Sequence, residues 1–232
     1  MRLRIIGAIW KKQWKDTLKN KAVFIQFIML PALGVFMKHM VSVEGLPPNY
    51  FITMFAAMYV GMAPMVSMAS ILAEEKEKHT LRMLLMSNVK AGEYLVGVGA
   101  YVFLLCMAGA AVFALAGGYT GAGLVQFLGA MAAGVAASLL IGAAIGTWSR
   151  NEMAANSLTV PLMLVCSFLP MLSMFNEKIA SAARFVYSCQ VQTMLKTAGA
   201  EEIDPFGAAV IAVNILCAIV IFRFVYRRSR LD

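Results

Sequence analysis

Charged side chains are concentrated in the stretch EEKEKHTLRMLLMSNVKAGE, residues 74–93, which lies between two long apolar segments. Carboxylates and amines at this density could act as general acids and bases, bind a metal ion or contact a charged partner. Glu74 and Lys78 have the i, i+4 spacing at which opposite charges stabilise an exposed helix. The stretch therefore predicts a charged helix end that continues the preceding apolar segment into water.

A second, shorter helix is predicted within the same stretch. Thr80 can cap its first turn. Apolar residues then recur on one face at i, i+3 and i+4 spacing, namely Leu81, Leu84 and Leu85. A short helix with an apolar face among mixed charges is suited to press into a groove on another protein. The same leucines could instead tuck back beneath the apolar segments, and the spacing alone leaves both interpretations open.

Motifs for catalysis and nucleotide binding are incomplete in this sequence. Glu74 and Glu75 are similar to the start of the Glu-Glu-x-x-x-Arg element of intramembrane CAAX-type proteases, but His79 stands where that element has arginine. The chain contains two histidines, His39 and His79, and no His-Glu-x-x-His motif for zinc. The pair Gly-Lys is absent, so the phosphate-binding loop of P-loop ATPases is absent as well. We therefore predict no catalytic residue, no metal site and no cofactor bound by this chain.

Composition indicates that the charged stretch belongs to a membrane protein. Hydrophobic residues make up 61% of the 232-residue chain and charged residues 14%, against roughly 25% in soluble domains. Apolar segments of about 20 residues can cross a membrane as helices, because a helix satisfies its own backbone hydrogen bonds. We predict an all-α membrane protein with a single six-helix transmembrane domain over residues 22–225 and a cytoplasmic tail over residues 226–232. The predicted spans are residues 22–41, 51–73, 94–117, 123–148, 158–175 and 206–222.

The first 21 residues are predicted to form an amphipathic helix at the membrane surface. Ile6, Trp10, Trp14 and Leu18 recur every four residues, while lysines occupy the other side. Such a helix can lie in the headgroup layer, with its indoles inward and its lysines toward anionic lipid. The alternative is a simple basic flank before the first span.

The distribution of basic residues predicts the orientation of the spans. With the N-terminus in the cytoplasm, 16 of the 20 lysines and arginines fall on the cytoplasmic side. This bias follows the positive-inside rule, and it places both termini and residues 74–93 in the cytoplasm. The net charge of +8 is therefore a consequence of topology, with membrane lipid rather than nucleic acid as the expected partner.

Small residues recur in the fourth predicted span. Gly134, Ser138, Gly142 and Gly146 repeat every four residues on one face. This spacing lets helix backbones approach closely in lipid. The pattern favours static packing within the bundle, although a sliding or dimerising surface has the same spacing.

Methionines recur at helical spacing around Pro64 in the second predicted span, namely Met54, Met58, Met62 and Met65. Flexible thioethers can adapt to varied apolar ligands, and a proline can bend a span. We therefore consider these methionines a possible substrate pathway, while packing or lipid contact gives the same pattern. Because the spans contain almost no ionisable side chains, energy for transport would have to come from a partner.

The charged stretch resembles the cytoplasmic loop between the second and third spans of ATP-binding-cassette exporter permeases of the type 2 class. In that family a Glu/Arg-rich segment leads to a GTLE-LL-s-P-v pattern. This chain has the acidic residues, the pair Thr80 and Leu81, and the pair Leu84 and Leu85. The resemblance extends over nearly the whole chain, which has the N-terminal amphipathic helix and six spans of the family.

By this resemblance, the stretch is an ATPase-docking loop with a coupling helix. Its docking residues would be Glu74, Glu75, Glu77, Lys78, Thr80, Leu81, Arg82, Leu84 and Leu85. The chain departs from the family pattern at His79, Arg82 and Asn88, where glycine, an acid and proline are common. These departures affect the docking geometry more than the family assignment.

Two further segments are similar to parts of the same family. Residues 141–162 resemble its second cytoplasmic loop, which here contains Arg150, Asn151 and Glu152. Residues 176–205 resemble the short outer helices that dip back toward the membrane as re-entrant elements between the fifth and sixth spans.

The resemblance implies an assembly and a function. Two permease subunits, as a homodimer or a heterodimer, would join two ATPase subunits that hold ATP and Mg²⁺, in the bacterial cytoplasmic membrane. The expected cargo is hydrophobic or amphipathic, such as a drug, an antimicrobial peptide or a lipid-like molecule. Sodium efflux is the alternative, and a membrane-embedded enzyme or a non-transporting membrane anchor are less favoured ones.

Overall fold

The structure, a computed structural model, describes residues 3–19, 21–41, 45–47, 49–78, 91–199 and 204–228. These residues form nine helices. They are α1 (Leu3–Lys19), α2 (Lys21–Met40), α3 (Tyr50–Glu77), α4 (Ala91–Gly117), α5 (Gly121–Trp148), α6 (Glu152–Leu172), α7 (Glu177–Ala183), α8 (Tyr187–Lys196) and α9 (Pro205–Arg228). The prediction of an all-α fold is therefore confirmed for the described part of the chain.

Five of these helices are long and apolar enough to cross a membrane. They are α3, α4 from Gly92 onward, α5, α6 and α9. Within α2, Phe24–Met40 forms a shorter apolar helix. The chain is therefore a multi-pass membrane protein, and its first predicted span coincides with this shorter helix.

The five long helices all extend beyond the predicted spans, and α6 and α9 do so by the most residues at one end. The α6 helix begins at Glu152 rather than Leu158, because the Asn151 side chain accepts a hydrogen bond of 2.9 Å from a backbone N–H of the first turn. At the other end of the chain, α9 continues to Arg228, into the segment predicted as a tail. Both extensions lengthen apolar helices with polar turns.

The α3 helix lies at the centre of the bundle and packs most extensively against α5 and α6. The small residues of α5 face it. A Cβ atom added at Gly142 would lie 2.4 Å from the Met65 carbonyl oxygen, and one at Gly146 would lie 2.7 Å from the Ala69 carbonyl oxygen. Only glycine permits so close an approach of two backbones. The interpretation of this face as packing within the bundle is confirmed at these positions.

The α8 helix runs inside the bundle alongside the first half of α5. Its first residue, Tyr187, is buried, and the Tyr187 hydroxyl lies 2.7 Å from the Ser138 hydroxyl in the second half of α5. After its other end, Gly199 lies against Gly123 near the start of α5. The two helices are therefore antiparallel, and the N-terminus of α8 reaches the interior of the bundle.

The α1 helix packs on α4 through a different face from the one predicted. Its buried residues are Ile9, Gln13 and Thr17, at four-residue spacing. Trp10 is half-buried and donates a hydrogen bond of 3.1 Å from Nε1 to the Gly97 carbonyl, whereas Trp14 is 52% exposed. The side chains of Ile6 and Leu18 lie outside the described residues. The two indoles therefore face different surroundings.

Large apolar side chains cover the outer surfaces of α6 and α9. Examples are Leu158, Val165 and Phe168 on α6, and Leu216 and Val220 on α9, all exposed within the single chain. Such continuous apolar surface is unusual for a soluble monomer. It is suited to contact with lipid or with another apolar helix.

Candidate functional site

The candidate site begins at the last turn of α3, where the apolar helix ends in charged residues. The helix finishes at Glu77, and the Lys78 backbone N–H donates a hydrogen bond of 2.9 Å to the Glu74 carbonyl oxygen. The loop beyond it, residues 79–90, lies outside the described residues. The same is true of the predicted docking residues Thr80, Leu81, Arg82, Leu84 and Leu85. The structure therefore describes the base of the loop.

Glu75 is the buried carboxylate of this turn, with 6% of its surface exposed. It forms an ion pair with the Lys12 amine of α1 and accepts a hydrogen bond of 3.4 Å from the Gln13 side-chain amide. The same amide donates to the Tyr94 hydroxyl of α4 at 3.5 Å. A buried carboxylate is stable only where such partners replace its water. Glu75 therefore joins α3 to α1 and α4.

Lys76 joins α3 to the end of α5. Its amine donates hydrogen bonds to the carbonyl oxygens of Thr147 at 2.7 Å and Ser149 at 2.6 Å. The last carbonyls of a helix lack partners within that helix and carry the negative end of its dipole. One lysine amine thus satisfies two carbonyls where α5 ends.

Glu77 joins α3 to the start of α6. Its carboxylate accepts a hydrogen bond of 2.9 Å from the Glu152 backbone N–H. The Glu152 carboxylate in turn accepts one of 2.8 Å from the Ser70 hydroxyl of α3. Both bonds hold the first turn of α6 against α3, and a carboxylate at a helix N-terminus also interacts favourably with the helix dipole.

The predicted second cytoplasmic loop lies at the same place. Asn151 caps α6, Glu152 reaches α3, and Arg150 is exposed. The structure therefore brings two of these three residues and the end of α3 together, although the sequence separates them by more than 70 residues.

Glu74 and Lys78 form the exposed ion pair that their i, i+4 spacing predicts. The hydrogen bond and the charge of Glu74 raise the pKa of the Lys78 amine above its usual value. Exposed pairs of this kind contribute little to stability, because water and salt screen them. This pair therefore supports the last turn of α3 without joining it to another helix.

Consecutive residues of a helix point about 100° apart, so three neighbours can face three directions. The side chains of Glu75, Lys76 and Glu77 point in three such directions. We call these three residues the charged joint. Through them the end of α3 is bonded to four other helices, namely α1, α4, α5 and α6. A displacement of the loop that follows would act on all four helices together.

A groove with a volume of about 850 Å³ opens beside the charged joint. Its lining residues are Glu77, Glu152, Met153, Asn156, Ser157, Val160 and Pro161. Met153 is 79% exposed and forms part of an apolar wall with Val160. Within the described chain, neither carboxylate of the groove forms an ion pair with a lysine or arginine. The groove therefore combines an apolar wall with two negatively charged side chains.

The four methionines of the possible substrate pathway have different surroundings. Met65 is fully buried in the core, while Met54, Met58 and Met62 are half-buried. Met58 and Met62 pack against the core. Met65 therefore lies in the core, whereas Met54, Met58 and Met62 are partly exposed within the single chain.

His39, the histidine that the structure describes, does not belong to a metal site among the described residues. Among the described residues, no group of three or more histidine, cysteine, aspartate or glutamate side chains could hold a metal ion. His39 Nδ1 lies 2.8 Å from the Val35 carbonyl oxygen of its own helix. His79 lies outside the described residues.

Sequence reasoning misses the partners of the charged joint. Lys12 and Gln13 belong to the helix predicted to lie at the membrane surface, and Ser70 belongs to the second predicted span, where its hydroxyl could contact an ion. The available signal is the recurrence of Gln13 with Ile9 and Thr17 at four-residue spacing, which marks a mixed face suited to protein contact.

A protein-family model described as "ABC-2 family transporter protein" matches residues 45–226 of the chain. No curated protein matches the sequence. The matched region begins ahead of α3 and ends within α9, so it contains the charged joint, the groove and α8.

Proposed function

The chain belongs to the ABC-2 family of transporter proteins, and we propose that this transmembrane permease subunit exports a hydrophobic or amphipathic cargo with energy from a separate ATPase. Permeases of this family generally work with an ABC ATPase. The proposed complex contains two permease subunits, identical or different, and two ATPase subunits that hold ATP and Mg²⁺. It lies in the bacterial cytoplasmic membrane with both termini of the permease in the cytoplasm.

The charged joint is the observation that carries the proposal. Residues 79–90 join Lys78 at the end of α3 to Ala91 at the start of α4, so a force applied to that loop reaches the ends of both helices. Glu75, Lys76 and Glu77 pass it to four further helices through short polar contacts. This arrangement supports a loop that converts movement of an attached motor into movement of the bundle.

The groove supports the proposed class of cargo. Its volume of about 850 Å³ is within the range of roughly 300–1,000 Å³ that is typical of small-molecule sites. The apolar wall fits a hydrophobic body, and the carboxylates of Glu77 and Glu152 fit a cationic or polar group. Drugs, antimicrobial peptides and lipid-like molecules with such a group are therefore the first cargoes to test.

Docking is tested by co-purification with a candidate ABC ATPase from the same genome. Leu84→Asp places a charge on the predicted apolar face, and we expect it to reduce co-purification at least tenfold. Met83→Asp is the matched control, since the same helical spacing predicts that Met83 is off that face. Equal binding by both variants would contradict the docking assignment.

Cargo and direction are tested by reconstituting the permease with its ATPase in vesicles. We expect ATP-dependent flux of at least one amphipathic cation, and increased resistance of cells that express the gene pair. Flux of sodium alone would instead support the sodium-efflux alternative. Substrate turnover without the ATPase would indicate an enzyme, and docking without any flux would indicate a membrane anchor.

A further inference from the structure

Pro64 in α3 leaves one backbone carbonyl without its helical partner. A residue in a helix normally donates its N–H to the carbonyl four residues earlier, and proline has no N–H. The affected carbonyl belongs to Val60, which is fully buried. The Ser138 hydroxyl of α5 donates a hydrogen bond of 2.5 Å to this carbonyl. A side chain of a neighbouring helix therefore replaces the missing backbone donor.

The Ser138 hydroxyl also fixes the orientation of Tyr187 at the start of α8. A hydroxyl has one hydrogen, and that of Ser138 is donated to Val60. The contact of 2.7 Å between Ser138 and Tyr187 therefore has the tyrosine as donor. Tyr187 and Ser138 are both buried, so water cannot substitute for either bond. The result is one directed chain of hydrogen bonds from α8 through α5 to α3.

The α6 helix has a matching break at the same level. Pro170 cannot donate to the Cys166 carbonyl, and this carbonyl faces Gly61, the neighbour of Val60. A Cβ atom added at Gly61 would lie 2.8 Å from both the carbon and the oxygen of that carbonyl. The two proline breaks therefore lie side by side in adjacent helices.

The parts of α3 and α6 on the charged side of these breaks are tied together. Ser70 of α3 donates to the Glu152 carboxylate, and the Glu152 backbone N–H donates to Glu77. On the other side of the α3 break, the Ser167 hydroxyl of α6 donates a hydrogen bond of 3.1 Å to the Met58 carbonyl of α3. The two contacts of Glu152 join these half-helices at their charged ends, so that they can move as one body.

We propose that the segments Val60–Pro64 of α3 and Cys166–Pro170 of α6 form a paired hinge, and that Ser138 and Tyr187 are positioning residues that hold it. When residues 79–90 are displaced, the half-helices on the charged side swing about this level while the other halves stay packed. The movement rests on the proposed function, whereas the hydrogen bonds that hold the hinge do not.

The bonds are tested on the permease alone by a cycle of Ser138→Ala, Pro64→Ala and both changes together. We expect Ser138→Ala to lower Tm by about 5 °C, because it leaves the buried Val60 carbonyl without its donor and removes one partner of the Tyr187 hydroxyl. Pro64→Ala restores a backbone N–H for Val60, so the same serine change should then cost less than half as much. An equal loss in both backgrounds would overturn the role assigned to Ser138.

Ser67→Ala is the matched control for this cycle. Ser67 is another buried serine of the bundle, on α3, and its hydroxyl has no hydrogen-bond partner within the described residues. Its removal should change Tm by less than about 1 °C, whether residue 64 is proline or alanine. A loss as large as that of Ser138→Ala would mean that any buried hydroxyl gives the effect.

The hinge movement is tested on the permease bound to its ATPase, by deuterium uptake of peptides that contain residues 54–66. We expect uptake near Pro64 to change on addition of ATP with vanadate, and Pro64→Ala to reduce that change at least threefold while the complex stays bound. Tyr187→Phe should increase uptake without nucleotide, since it releases Ser138. An unaltered response in Pro64→Ala would overturn the hinge. Loss of the complex itself would instead count against the proposed function.

Discussion

The charged end of α3 and its middle both connect this helix to its neighbours, but with different chemistry. At the end, Glu75, Lys76 and Glu77 use ionised side chains to reach four other helices. In the middle, the neutral hydroxyl of Ser138 donates to one backbone carbonyl of α3, and the neutral hydroxyl of Tyr187 contacts Ser138. The end is built from long side chains with charge, and the middle from neutral groups held in close contact.

The difference follows from the solvent at each level. An ionised group at the centre of a bilayer costs about 2.5 to 3.5 kcal/mol on insertion scales, whereas a hydroxyl can meet a carbonyl of the next helix at little cost. Near the membrane surface, long charged side chains can reach water as well as each other. The middle of the bundle therefore depends on close packing, and the end depends on polar partners.

The strongest test of this contrast is Gly142→Ala in the middle of the bundle. The new Cβ would lie 2.4 Å from the Met65 carbonyl oxygen, so α3 and α5 must move apart. We expect a loss of about 3 kcal/mol in unfolding free energy, measured by thermal unfolding in detergent. Gly129→Ala in the same helix has open space around it and should be neutral or stabilising. Equal stability of the two variants would contradict the tight packing.

At the charged end, Glu75→Ala is expected to have the next largest effect. It removes the acceptor for the Lys12 amine and the Gln13 amide, both of which lie at the contact of α1 with α3. We expect a loss of about 2 kcal/mol in unfolding free energy, because Lys12 is partly exposed and can turn to water. Lys12→Met should then cost less in the Glu75→Ala variant than in the unaltered chain. Independent, additive effects would show that this ion pair does not join the helices.

Lys76→Met tests whether one amine holds the end of α5. The change keeps the length of the side chain but removes the donor to the Thr147 and Ser149 carbonyls. We expect a loss of about 1 kcal/mol, since Thr147 and Ser149 are buried and their carbonyls lose a donor. Faster deuterium exchange confined to the last turn of α5 would support this assignment. Exchange that is unchanged there would exclude it.

Glu74→Gln should have the smallest effect of the series. Its partner Lys78 is exposed, so we expect a loss of less than about 0.5 kcal/mol, and less still in high salt. The comparison with Glu75, its direct neighbour, separates an exposed carboxylate from a buried one by a single position. A larger loss of unfolding free energy for Glu74→Gln than for Glu75→Ala would contradict the order that burial predicts.

Much of the helical architecture was predictable because it depends on local pattern. Apolar segments of sufficient length predicted five helices that are long enough to span a membrane. The spacing of Glu74 and Lys78 predicted their ion pair, which the structure confirms. The glycine spacing in α5 likewise predicted a close helix contact. Each of these signals lies within about 20 residues of sequence, where periodicity relates residues that share a face.

The inward face of α1 was harder to predict. Hydrophobicity favoured a lipid-facing stripe that includes Trp10 and Trp14, but the protein-facing stripe contains Gln13 and Thr17. Gln13 and Thr17 are polar because their partners, Tyr94 and Tyr101, are polar hydroxyls of α4. Periodicity identifies a face, whereas the neighbour that meets it is more than 80 residues away.

The sequence by itself determined that this chain is a helical membrane protein, where its apolar helices lie, and which short stretch gathers its charge. Only the tertiary structure decided that Glu75 is buried while Glu74 is exposed, and that Ser138 replaces the donor missing at Pro64. The physical reason is that helix formation depends on hydrogen bonds between residues four apart. Whether a polar group is buried and hydrogen-bonded depends on distant residues, which contact it only when the bundle is assembled.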